Sequence, residues 1–137
     1  MESLLPSLYS AQLLTAAFLA VLFLQSGLDK VFDWQGNLSW LKGHFSKSPL
    51  AGMVPFMLFT VTVVEIAAGA VSAAGLVFLL LNPQNTALAL LGAQLSALSL
   101  LMLFFGQRMA KDYPGAATLA GYFILATGAI LIFGYAG

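Results

Sequence analysis

Residues 55–81 read PFMLFTVTVVEIAAGAVSAAGLVFLLL, and the run carries a single ionisable side chain, Glu65. At about 1.5 Å per residue, a helix of this length crosses a hydrocarbon core of about 30 Å. The same run fixes the main chemical question. An ionised carboxylate costs about 2.5–3.5 kcal/mol on membrane-insertion scales, so Glu65 has to be neutralised, paired or hydrated.

Working outward, three more apolar runs appear. The spans are expected at about 8–32, 53–81, 86–107 and 114–135. The first ends in Gln25, Ser26, Gly27, Leu28, Asp29, Lys30, Val31, Phe32, Asp33 and Trp34, where three charges and a tryptophan mark the exit into the interface. Asn82-Pro83-Gln84-Asn85 breaks the second run as an uncharged turn, and Arg108 to Tyr113 forms a short charged connection. No Lys or Arg precedes the first run, so it reads as a retained span and not as a secretory leader.

Composition agrees. Of 137 residues, 61% are hydrophobic and 7% charged, against about 25% charged in a soluble domain. Mean hydropathy is +0.96. Net charge is zero, which gives no reason to expect nucleic-acid binding. Cysteine is absent, which excludes thiolate chemistry and Cys-ligated clusters. One histidine, His44, cannot supply both axial ligands of a bis-histidine haem. No metal site is expected. The chain alone is expected to hold no cofactor and to have no catalytic activity of its own, with quinone or lipid as possible ligands.

The fold class that follows is an all-α membrane protein, one domain over 1–137. It is an antiparallel bundle of four transmembrane helices, with a short interfacial helix at about 37–46 between spans one and two. Asn37 is placed to cap that helix. Leu38, Leu41 and Phe45 share its apolar face, and Trp34, Trp40, Lys42, His44 and Lys47 are its interfacial residues. His44 is read as solvated. All five basic residues fall in the first and third connections, on one side of the membrane. The positive-inside rule makes 33–52 and 108–113 cytoplasmic and puts both termini outside.

Helical phase gives span two a small and polar face of Thr62, Glu65, Gly69, Ser72 and Ala73. Matching faces are expected from Gly92, Ser96 and Ser99 in span three, from Ala117, Gly121 and Gly128 in span four, and from Gln12, Ala16, Phe23 and Ser26 in span one. Depth counted from the charged side brings Gln94, Ser96 or Thr127 near Glu65 as a neutral hydrogen-bond partner. Two readings of Glu65 stay open: a ligand or proton site, or a neutral interhelical hydrogen bond. Lys30 and Asp29 are read as interfacial anchors, Lys30 snorkelling outward, or else as a polar mouth with Gln25 one turn deeper. The candidate ligand-binding residues are Glu65, Gln25, Gln94 and Tyr122.

With these residues in view, the chain resembles the DoxX-like family of small four-helix membrane proteins. The resemblance rests on residues 23–32, FLQSGLDKVF, on EIAAG at 65–69, and on the four-span layout. The matching positions are Gly27, Lys30 and Glu65. Family members often carry an Arg early in span one, and residues 8–18 have none. The resemblance implies a protein of the bacterial cytoplasmic membrane associated with redox systems. Three functions follow as expectations. The first is an accessory or assembly subunit of a larger respiratory or redox-associated complex. The second is a quinone-handling subunit of an oxidoreductase, and the third a small proton-coupled carrier. Expected partners are membrane lipids and other integral membrane subunits or a second copy.

Overall fold

The structure is a computed structural model that describes residues 5–136, with side chains from 6 to 134. The leader question turns on residues 1–4, which lie outside the described residues. Five α-helices occur in order: α1 (Leu5–Phe32), α2 (Trp34–His44), α3 (Val54–Leu81), α4 (Ala87–Met109) and α5 (Tyr113–Ala136). A 3-10 turn at Ala51–Met53 leads into α3, whose first turn holds Pro55 where its missing N–H costs little. Four helices are long and apolar enough to cross a membrane, and the chain is a multi-pass membrane protein.

The lipid-facing surface is built of large apolar side chains, such as Phe56, Phe59, Phe105, Ile124 and Leu131. The inside mixes small residues, Ala16, Ala68, Ala89, Ala93, Ala126 and Ala129, with a few large ones, Leu19, Phe23, Leu79, Leu100 and Phe133. In lipid, helix association gains little from the hydrophobic effect and depends on close packing and hydrogen bonds. Helix α3 packs against both α1 and α4, and α5 packs on α4 and touches α1.

Glycines set the spacing and the register. A Cβ on Gly27 would lie 2.6 Å from Ile66 Cγ1, and one on Gly69 would lie 2.6 Å from the Leu24 backbone nitrogen, so α1 and α3 touch backbone to backbone. On the other side, a Cβ on Gly75 would lie 2.5 Å from the Ala89 nitrogen, and one on Gly92 would meet Ser72. Thr62, Glu65, Gly69 and Ser72 are all buried, as the helical phase of span two predicts.

The fourth span departs from expectation. Ala117 and Gly121 are exposed, and nothing lies within 4 Å of a Cβ added at Gly121 or Gly128. The buried positions of α5 are instead Ala116, Ala126, Ala129 and Phe133. Small residues permit close packing; they do not by themselves say which face is packed.

The interfacial helix begins three residues earlier than expected. Asp33, not Asn37, precedes its first turn, and Asn37 sits inside the helix with its amide donating to the Asp33 carbonyl at 2.8 Å. Leu41 and Phe45 do face the bundle, and Phe45 is buried. At the other connection Lys111 adopts φ 62°, and the Asp112 amide donates to the Gln107 carbonyl, a left-handed closure of α4. Asp112 then accepts the Gly115 amide at 3.0 Å and caps α5.

Candidate functional site

Glu65 is 1% exposed, and its partner is a lysine. Lys30 Nζ stands 2.8 Å from Glu65 Oε1. Ser26 completes the group: its hydroxyl donates to Glu65 Oε2 while accepting from Lys30 Nζ at 2.8 Å. The ammonium also reaches the Ser26 carbonyl at 3.3 Å. The Lys30 ammonium lies within 3.3 Å of three oxygens, and serine gives its one proton to the carboxylate while taking one on its lone pair. The Oε1 contact is an ion pair whose angle falls outside hydrogen-bond geometry.

The backbone puts these side chains together. In an α-helix each Cα–Cβ bond tilts toward the N-terminus, so a long side chain lies over the preceding turn. Lys30 is near the C-terminal end of α1, at the basic side of the membrane. Its side chain therefore runs back into the bundle toward Ser26, four residues earlier. The snorkelling reading of Lys30 is corrected on this ground: its side chain is 18% exposed and its charge is turned inward. Gly27 lets α1 approach α3 closely enough for the contact to form.

The neutral partners expected for Glu65 lie elsewhere. Gln94 is exposed on the outer face of α4. Ser96 donates to the Gly92 carbonyl at 2.7 Å, and Thr127 to the Phe123 carbonyl at 3.0 Å, both within their own helices. Depth counting from helix ends missed the register. The glycine contacts pair Ser72 with Gly92, and seven residues further toward the basic side Glu65 falls opposite Ser99. Ser99 is fully buried, and its hydroxyl, like that of Ser72, has no hydrogen-bond partner among the described residues.

Of the other candidates, Gln25 is exposed on α1, and Tyr122 is half-buried beside Phe18, with ring centroids 6.4 Å apart. Neither takes part in the hydrogen bonds or ion pair of Glu65. Gly27 and Lys30 do belong to the site, as spacer and partner. A second polar contact lies deeper in the bundle: Gln12, 2% exposed, donates to the Ile132 carbonyl at 3.3 Å. Tyr9 donates to the Leu79 carbonyl at 2.7 Å.

A cavity of about 110 Å³ adjoins the charged group between α2, α3 and α4. Its wall includes the Lys30 side chain, Leu41, Phe45, Met57, Met102 and Gln107. Leu41 of α2 and Phe45 just beyond it border the cavity on the interface side. His44, read from the sequence as solvated, is instead the clasp: its Nε2 lies 2.7 Å from Gln107 Oε1 and 3.6 Å from Asp112 Oδ2. Trp40 stacks on the imidazole at 4.6 Å and Phe45 meets it edge-on at 5.3 Å. Sequence phase gave Leu41 and Phe45; nothing in the sequence places His44 against the end of α4. Lys42 and Lys47 stay exposed and Trp34 is partly covered.

No family model, no curated protein and no solved structure matches this chain.

Proposed function

We propose that this chain is a DoxX-like protein of the bacterial cytoplasmic membrane that acts as a non-catalytic accessory or assembly subunit of a larger redox-associated membrane complex. One observation carries the reading. The Glu65 carboxylate is ion-paired with Lys30 through one oxygen and takes the Ser26 hydroxyl on the other. Such a paired group fixes how α1 sits on α3; a proton-coupled carrier needs a carboxylate free to exchange its proton. The resemblance at Gly27, Lys30 and Glu65 supports the family, and those three residues make one contact. Lys42, Lys47, Arg108 and Lys111 in the two connections, with Lys30 at the same end of α1, support a cytoplasmic placement for 33–52 and 108–113, with both termini outside.

The test is purification from native membranes in a mild detergent. Other membrane subunits are expected to accompany the chain in fixed proportion. A chain that migrates without other subunits at every detergent strength counts against the reading.

The cavity favours a second reading, a quinone-handling subunit. Its wall is apolar apart from Lys30 and Gln107, and its size is comparable to an engineered apolar cavity of about 150 Å³ that binds benzene. A ring would sit beside the Lys30 stem. Met57→Trp would fill the space. Unchanged quinone reduction by the intact complex carrying that substitution rules this reading out.

A further inference from the structure

Gln94 is the polar residue that the bundle leaves over. It lies seven residues into the 23-residue α4, about 10 Å from its start at 1.5 Å per residue, and so within the hydrocarbon. It is exposed, and no side-chain hydrogen bond among the described residues reaches it. An amide in lipid without a partner is costly, because no water is there to replace the missing bonds. Gln25 differs, since it stands one turn from the exposed, interfacial Asp29.

The surroundings of Gln94 form a seam. Leu91, Gln94, Leu98, Leu101 and Phe105 are all exposed and recur at spacings of three and four along one face of α4. In the α3–α4 register set by Ser72 and Gly92, the residue level with Gln94 is Ala70. Ala70 is exposed, and the exposed positions one heptad to either side are the larger Val63 and Val77. A small side chain at that level lets another helix come close to the amide.

We infer that this face of α4 is the interface with a second copy of the chain, and that Gln94 pairs there with the same residue of that copy. Two copies inserted in the same direction are related by an axis along the membrane normal. An α4–α4 contact is then parallel and sets each residue opposite itself. An amide both donates and accepts, so it is its own complement in such a pair. A single polar residue within an apolar heptad seam is also the known device for fixing register and number of strands. The inference does not rest on the accessory-subunit reading; the dimer forms in its absence.

The chain has no cysteine, so single-cysteine variants of the full chain give a clean test. In vesicles of purified protein, oxidation is expected to cross-link Gln94→Cys, Leu98→Cys and Leu101→Cys into dimers. Ile124→Cys, more exposed still but on α5, is expected to stay monomeric. In a fluorescence dimerisation assay, Gln94→Leu raises the dimer dissociation constant about three- to tenfold, and Gln94→Asn restores most of it. Absence of a cross-link at position 94, equal cross-linking at 124, or a Gln94→Leu dimer as tight as the original overturns the inference. A cross-link in native membranes to a different protein, with none between copies, assigns the face to a heterologous partner instead.

Discussion

Against α1, helix α3 places Glu65 2.8 Å from the Lys30 ammonium and takes the Ser26 hydroxyl. Against α4, the same helix places Ser72, Ala68 and Gly75 on a wall of alanine, glycine and serine that carries no charge. Both contacts are close, and both use glycine to bring backbones together. They differ in what holds them. The first has direction: it works only with an acid, a base and a hydroxyl at three positions. The second depends on shape, and its buried hydroxyls, Ser72 and Ser99, go unpartnered. Within lipid, a directional contact at depth fixes register, and a steric one fixes distance.

The sharpest way to break this contrast is to remove one charge. Lys30→Met leaves Glu65 buried without its counter-charge, and is expected to cost about 3 kcal/mol in the unfolding of the purified protein. On the steric side, Gly75→Val drives new atoms into the Ala89 backbone and costs about 2 kcal/mol, with α3–α4 cross-linking distances increased. Next comes a matched pair of serines. Ser26→Ala removes a hydroxyl that bridges two charged groups and costs about 1.5 kcal/mol, whereas Ser99→Ala removes one without a partner and changes stability by less than about 0.5 kcal/mol. A Ser99→Ala loss as large as that of Ser26→Ala would erase the distinction between the two sides of α3.

The four spans were legible because length and hydropathy alone decide them. The expected 53–81 is found at Val54–Leu81, and 86–107 at Ala87–Met109. The buried face of α3 was legible from phase. The partner of Glu65 was not, for two physical reasons. Helix ends shift by one or two residues, and each shift moves the apparent depth of the facing helix: counting from Gly52 favours Gln94 and Thr127 and counting from Pro55 favours Ser96, whereas the register of the glycine contacts sets Ser99 level with Glu65. The glycine contacts that set the true register are a property of the packed pair. The place of Lys30 near the interface suggests an anchor, whereas the direction of Cβ near the C-terminal end of α1 carries its side chain inward. That signal was present in the sequence, in the i, i+4 spacing of Ser26 and Lys30. The clasp of His44 on Gln107 and Asp112 had no such local signal.

Lys30 and Glu65 act as one unit holding α1 to α3. A double-mutant cycle of Lys30→Met and Glu65→Met, read as unfolding free energy in a fixed detergent, tests it most directly. The double variant is expected to stay close to the original protein in stability, with a coupling of about 2 kcal/mol or more, because each single change strands the other charge. Two losses that add to within about 0.5 kcal/mol would contradict it.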